Sequence, residues 1–252
     1  MRWSVGPIGI KDFFTLINLI GGVAAIYYLQ DGRPTHAGVA LMAGYLLGDT
    51  LDGVVARATR TSNRFGAELD SVTDHLTQAI VPAIIVYAVY AAAGHRALGF
   101  FLMAVLITSG TVRHALFSVA KLNLPLMYCG LPRTISGYAS MSFVLSRVFF
   151  RDARFGIEIG AVLIPVLAAA GLLPIPYMTH RGTRRMQTYV RALVLGFLVM
   201  PLVAFFVLRD FTFDVLFVYT FGYALFGWAP LRPDERKGFF DRYRQWTAEV
   251  SH

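Results

Sequence analysis

The sequence predicts an all-α integral membrane protein, a helical bundle of about eight transmembrane helices. Apolar residues make up 56% of its 252 residues and charged residues only 15%, which is outside the usual range of soluble domains. The mean hydropathy is positive. Several long stretches contain no Asp, Glu, Lys or Arg, and a helix of about 20 residues is enough to span the hydrocarbon core.

The candidate spans follow one another along the chain. Uncharged stretches lie at residues 13–30, 75–95, 97–112, 159–180, 192–208 and 215–231, and two further apolar segments, 37–56 and 134–150, are interrupted by charge. A second span follows the first at once, so we do not interpret the N-terminus as a signal peptide. We predict one transmembrane domain over residues 1–232 and a short charged cytoplasmic tail over 233–252.

Basic residues predict the orientation. If the eight spans alternate from a cytoplasmic N-terminus, 16 of the 23 lysines and arginines fall on the cytoplasmic side. The positive-inside rule therefore predicts a multi-pass protein of the plasma (inner) membrane with both termini and the turn after residue 57 in the cytoplasm. Basic cytoplasmic loops that face anionic lipid head groups explain the net charge of +8. The sequence shows no basic stripe interleaved with aromatic residues, so it does not indicate nucleic-acid binding. The single cysteine, Cys129, excludes an intrachain disulfide.

Four aspartates are the main functional signal, because charge inside membrane segments is costly and is usually kept for function. Asp49 and Asp52 are three residues apart, and Asp70 and Asp74 are four apart. Within a helix each pair shares one face. The two helices are joined by a short turn, so they are expected to lie antiparallel and adjacent. The four carboxylates then converge on one pocket.

Four carboxylates in one pocket repel each other unless a cation compensates them. The predicted ligands are all oxygen atoms, which suits magnesium, manganese or calcium and not zinc or copper. Two such ions can bind a diphosphate. Gly53, Ala56 and Gly66 leave room for a flat group to approach the helix backbones, and Arg57 is placed to meet phosphate oxygens.

The spacing D-x2-D-G-x2-A-R-x8-G-x3-D-x3-D over residues 49–74 resembles the signature of the CDP-alcohol phosphotransferases, membrane enzymes of phospholipid synthesis. All eight fixed positions agree. The resemblance implies a six-helix core, a homodimer, two divalent cations (Mg²⁺ or Mn²⁺) and a CDP-linked lipid such as CDP-diacylglycerol as donor. It also implies roles by position: metal ligands at Asp49, Asp52, Asp70 and Asp74, a general base at Asp74, and cytidine or phosphate contacts at Gly53, Ala56, Arg57, Asn63 and Gly66.

Three stretches are similar to the phosphatidylserine synthase branch of that family. They are Phe-Gly-Ala-Glu-Leu-Asp-Ser at 65–71, Phe-Thr-Leu-Ile-Asn-Leu at 14–19 and Gly-Leu-Pro at 130–132. This similarity implies that L-serine is the acceptor alcohol. The chain departs from the branch at three places. It has Lys11-Asp12 where Pro-Asn is usual and Leu116 where a second arginine is usual, and its residues 77–83 differ from the run that the branch usually has there.

Arg113 lies within a predicted span and needs a partner, which the carboxylate cluster or an acidic group of the substrate would supply. The alternative is that Arg113 snorkels to the cytoplasmic interface. Two alternatives to the serine-specific enzyme stay open at this point. One is the same chemistry with glycerol 3-phosphate or inositol phosphate as acceptor, and the other is an ion or metal transporter, although the aspartates cluster toward one face of the membrane and no repeat is seen.

Overall fold

The computed structural model of the chain describes residues 4–5, 8–49, 64–119, 127–179 and 184–250. This part is almost entirely helical and confirms the all-α class, and only two pairs of very short antiparallel strands interrupt the helices described there. The chain forms two compact units, residues 1–103 and 104–252. The assignment of residues 1–232 to one transmembrane domain stays a prediction.

In its described residues, the first unit begins with a small hairpin, which several helices follow. The strands are β1 (Ser4–Val5) and β2 (Ile8–Gly9), and the helices are α1 (Ile10–Gln30), α2 (Pro34–Gly44), α3 (Arg64–His75), α4 (Val81–Ala92) and the first part of α5 (Arg96–Val119). A wider π-helical turn, Tyr45–Asp49, extends α2, and another, Leu76–Ile80, joins α3 to α4. Such turns are frequent at functional sites.

The described part of the second unit contains the rest of α5, further helices and a second pair of short strands. Its elements are β3 (Met127–Cys129), α6 (Arg133–Leu145), α7 (Arg147–Arg151), α8 (Ala153–Leu172), β4 (Pro176–Met178), α9 (Arg184–Val203), α10 (Thr212–Phe226) and α11 (Pro233–Val250). β3 pairs with β4 in antiparallel fashion. Phe239 of α11 is fully buried among the side chains around these strands, with Cys129 and Met178 in the same cluster.

Helices long and apolar enough to cross a membrane occur in four places in the described part of the chain: Ile10–Gln30, Arg64–Ala92, Arg96–Ser118 and Arg154–Leu172. Large apolar side chains on them face outward, with 69% of Phe13, 60% of Phe100 and 65% of Val162 exposed. Such faces suit contact with lipid tails. The protein is therefore a multi-pass membrane protein. Helices also occupy most of the described residues of the other predicted spans, but eight crossings stay a prediction.

Small residues allow a close contact between α1 and α2 in the first unit. A Cβ atom at Gly21 of α1 would lie 2.6 Å from Gly44 Cα of α2, so only glycine fits at this crossing. Glycine at helix contacts lets backbones approach closely in membranes. The contact fixes α1 against the helix that leads to Asp49.

Candidate active site on the motif helices

The first half of the aspartate motif begins at the end of the π-helical turn after α2. Asp49 is the last residue of that turn, and its side chain is not described. Five of the predicted site residues, Asp52, Gly53, Ala56, Arg57 and Asn63, lie outside the described residues, so their roles stay predictions.

The second half of the motif lies on α3. Gly66 is buried, and Asp70 and Asp74 are both partly buried. They follow Gly66 at intervals of four residues, so the three positions share one face of the helix. The predicted helical spacing of Asp70 and Asp74 is confirmed. The π-helical turn begins two residues after Asp74.

α1 runs beside α3 in the same direction. A Cβ atom on Gly66 would lie 2.7 Å from Lys11 Cε, and one on Gly22 would lie 2.9 Å from Thr77 Cγ2. The contacting positions differ by 55 residues at both ends. This constant offset places Thr15 level with Asp70, and it places residues 18–19 level with Asp74.

The same part of α1 also contacts the turn that carries Asp49. A Cβ atom on Gly48 would lie 2.6 Å from Asn18 Cβ, and Gly48 directly precedes Asp49. The structure therefore brings the backbone positions of Asp49, Asp70 and Asp74 to one segment of α1, residues 15–19. We call this segment, with Lys11 and Asp12 before it, the polar stripe of α1.

The polar stripe was not assigned a role from the sequence. Asp12, Thr15 and Asn18 are each at most 1% exposed, and Lys11 is 8% exposed. Their spacing, three or four residues apart along an otherwise apolar helix, was the signal that the sequence offered. Asn18 Oδ1 is buried and has no hydrogen-bond partner among the described residues.

The oxygen donors of this site fit a hard divalent cation. Asp70 and Asp74 offer carboxylates, and the buried Asn18 offers an amide oxygen, which is also a ligand type for magnesium and manganese. No group of three potential metal ligands from His, Cys, Asp and Glu occurs among the described residues, and two of the four predicted ligands have no described side chain. A metal cluster at the four aspartates stays a prediction.

Replacing Asn18 with Leu, which has a similar volume, is expected to lower activity about tenfold or more. The substitution removes a buried amide oxygen, a candidate metal ligand, from the level of Asp49 and Asp74. The measurement is initial rate as a function of Mn²⁺ concentration. The matched control is Gln245→Leu, because Gln245 is exposed on α11. Equal rates and equal manganese requirements in both variants would show that Asn18 has no part in the site.

Arg113 lies in the second unit and is buried. Its Nη1 atom donates hydrogen bonds to the backbone carbonyl oxygens of Cys129, at 2.7 Å, and Gly171, and its Nη2 atom donates to Gly130 O at 3.4 Å. The guanidinium also lies 4.6 Å from the centre of the Phe117 ring. Arg113 thus joins the loop before α6 to the end of α8.

The contacts of Arg113 with described residues are therefore made to carbonyl oxygens and an aromatic ring. Its predicted contact with the substrate stays a prediction. The neighbouring His114 accepts a hydrogen bond of 2.8 Å at Nδ1 from Arg133 Nη1. A cleft beside Arg113 is lined by Cys129, Tyr243 and Trp246, among others.

Cys129 is buried below α11, and burial raises the pKa of its thiol to about 11, although the neighbouring Arg113 lowers it in part. The thiol is therefore protonated at neutral pH and shielded. We expect reaction with a maleimide at pH 7.5 to be slow until the protein unfolds, because the thiolate is the reactive species. Fluorescence of a thiol-reactive dye during heating measures this. Rapid labelling of the native protein would contradict the burial of Cys129.

A family model described as CDP-alcohol phosphatidyltransferase matches residues 10–208 of the chain. The chain is similar to CDP-diacylglycerol–serine O-phosphatidyltransferase of Helicobacter pylori, with 30% identity over 122 residues, 48% of this chain and 51% of that protein. It is similar to the protein of the same name from Methanocaldococcus jannaschii, with 38% identity over 80 residues, 32% of this chain and 36% of that protein.

A third relative is the archaetidylserine synthase of Methanothermobacter thermautotrophicus, with 29% identity over 141 residues, 55% of this chain and 59% of that protein. The chain spans about a third to three fifths of the length of these relatives. None of the three names indicates transport, so the transporter alternative receives no support.

Proposed function

The chain belongs to the CDP-alcohol phosphatidyltransferase family, and on that premise we propose that it transfers a phosphatidyl group from CDP-diacylglycerol, or a related CDP-linked lipid, to the hydroxyl of L-serine. The products are phosphatidylserine and CMP. The observation that carries this proposal is the aspartate motif of residues 49–74, in which all eight fixed positions of the family pattern are present.

In this proposal Asp49, Asp52, Asp70 and Asp74 hold two divalent cations, either Mg²⁺ or Mn²⁺. When bound, these cations balance the charge of the carboxylates and of the donor diphosphate and stabilise the departing phosphate. Gly53, Ala56 and Arg57 contact the cytidine and phosphate portions of the donor, with Asn63 and Gly66 beside them. The position of Asp70 and Asp74 on one face of α3, against the polar stripe, supports this arrangement.

The chemical step needs a base for the acceptor hydroxyl. We assign this role to Asp74, whose carboxylate takes the proton as the serine oxygen attacks the lipid-side phosphorus. The bond from that phosphorus to the oxygen of CMP breaks, and CMP leaves with the bonding electrons.

Serine is proposed as the acceptor because the relatives named above are serine and archaetidylserine enzymes. The segment at residues 65–71 points to the same branch. Glycerol 3-phosphate and inositol phosphate remain the alternative acceptors, and each would bring an additional phosphate dianion that needs a basic pocket.

We also propose that the protein resides in the plasma membrane with both termini and the active site in the cytoplasm, as a homodimer. The distribution of basic residues supports the orientation. The water-soluble nucleotide and serine would then reach the site from the cytoplasm, while the lipid tails of the donor stay in the bilayer.

The proposed function is tested with the purified full chain, CDP-diacylglycerol and Mn²⁺ or Mg²⁺, by following CMP release in the presence of L-serine, glycerol 3-phosphate or inositol phosphate. We expect release with serine alone and none in EDTA. CMP release with one of the other acceptors would support the same transfer reaction with a different acceptor alcohol. No release with any of them would contradict the enzyme assignment.

A further inference from the structure

Lys11 and Asp12 form a polar pair at the start of α1, packed on the motif glycine. Asp12 is fully buried and Lys11 is 8% exposed. A Cβ atom on Gly66 would overlap Asp12 Oδ1 and would lie 3.0 Å from Lys11 Nζ. The space next to the missing side chain of Gly66 is therefore occupied by these two side chains.

One carboxylate oxygen of Asp12 has a role at the start of α1. Asp12 Oδ2 accepts a hydrogen bond of 2.7 Å from the Gly9 backbone N–H, which caps α1. Asp12 Oδ1 is buried and has no hydrogen-bond partner among the described residues. It lies 3.6 Å from Lys11 Nζ, longer than the roughly 2.7–2.9 Å of a charge-assisted hydrogen bond. The capping hydrogen bond explains why Asp12 is buried here, but it does not explain why the Lys11 ammonium is buried beside it.

The ammonium of Lys11 lies about one helical turn from the level of Asp70 on α3. Gly66 and Asp70 are one helical turn apart on the same face of α3, a rise of about 6 Å. Lys11 is level with Gly66, so its Nζ atom lies at the cytoplasmic end of the predicted site, where the proposed orientation puts the donor nucleotide. It is the only basic residue on α1, in a region of several carboxylates.

We propose that Lys11 is a phosphate-binding residue, whose ammonium contacts a phosphate oxygen of the CDP-linked donor while Asp12 holds the lysine in place. This inference rests on the proposed function and names a residue for its donor site. An ion pair that is buried without ideal geometry gives little stability, so stability alone does not explain why this pair is buried.

The test compares three variants of the full chain with wild type: Lys11→Met, the double variant Lys11→Met/Asp12→Asn, and the control Lys237→Met. Lys237 is exposed on α11, so the control removes the same charge far from the pair in sequence. The double variant leaves no buried charge without a partner, so it is expected to fold even if the single variant is unstable. Folding is followed by the heating assay on Cys129.

Two quantities are measured: the affinity for CDP in the presence of Mn²⁺, and the steady-state constants. We expect both Lys11 variants to bind CDP about tenfold more weakly and to show a KM for CDP-diacylglycerol raised by a similar factor. Their KM for serine stays unchanged, and Lys237→Met behaves as wild type. If Lys11 and Asp12 formed only a structural ion pair, the double variant would instead recover the wild-type affinity for CDP.

Wild-type CDP affinity in the folded double variant would overturn the inference about Lys11 and leave the proposed function intact. If the wild-type chain itself bound no CDP with metal and released no CMP with any acceptor, the proposed function would fail instead. The two failures are therefore distinguishable.

Discussion

Replacing Asp74 with Asn is expected to lower kcat by about 10²–10⁴-fold, the usual contribution of a general base. The amide has nearly the same shape as the carboxylate but cannot take a proton from the acceptor hydroxyl. The variant should still bind CDP with Mn²⁺ to within several fold, because three aspartates remain for the metals. Steady-state kinetics and nucleotide binding on the same preparation measure both quantities.

Asp31→Asn is the matched control for this substitution. Asp31 is exposed just after α1, and its replacement should leave turnover and CDP binding unchanged. Turnover in Asp74→Asn close to that of the wild type would count against Asp74 as the base. Loss of CDP binding together with loss of turnover would show instead that Asp74 acts mainly by holding metal.

Replacing Gly66 with Ala is expected to reduce activity by about 10²-fold. The new methyl group would overlap Asp12 Oδ1 and the end of the Lys11 side chain, so the start of α1 must move away from α3. Both the polar stripe and Asp70 depend on this contact, and a displacement of about 1 Å in an active site can cost about 10²-fold in rate. Initial rates at saturating serine and CDP-diacylglycerol measure the effect.

Gly238→Ala is the control for the glycine substitution. Gly238 is exposed on α11, and a Cβ atom there would meet nothing within 4 Å. Alanine at this helical position should leave activity unchanged and raise the melting temperature slightly, because alanine favours helix over glycine by about 0.5–1 kcal/mol. Full activity in Gly66→Ala would mean that the close contact between α1 and α3 is not needed for the reaction.

The helical character and the pairing of Asp70 with Asp74 could be predicted from the sequence, because both depend on local spacing. Long apolar stretches without charge indicate membrane helices. Two residues four positions apart in a helix lie on the same face. The family followed from the same spacing. The uncharged stretch at 75–95 is the apolar part of a longer helix, Arg64–Ala92, and the spacing of Asp70 and Asp74 had already placed its charged first turns on the same helix.

The polar stripe of α1 could not be predicted in the same way. Lys11 and Asp12 precede the first apolar stretch, so they looked like ordinary loop residues, and Asn18 looked like an isolated polar residue. Their importance comes from contacts with Gly48 and Gly66, which lie 30 and 55 residues further along the chain. Such contacts depend on how helices cross, and hydrophobic periodicity does not report crossings.

Arg113 illustrates the opposite case. A lone arginine in an apolar span indicated a functional charge, and the structure supplies it with three backbone carbonyl oxygens and the Phe117 ring. One of the carbonyls belongs to Gly130, whose φ of +70° favours glycine. The loop geometry that exposes these carbonyls could not be derived from the sequence around Arg113.

The central claim is that the serine hydroxyl attacks the lipid-side phosphorus of the CDP-linked donor at the aspartate motif. The most direct measurement uses L-serine labelled with ¹⁸O in its side-chain hydroxyl, incubated with the purified chain, CDP-diacylglycerol and Mn²⁺, followed by mass spectrometry of both products. The account predicts that phosphatidylserine retains the ¹⁸O and that CMP carries none. Label in CMP, or a lipid product without ¹⁸O, would contradict it.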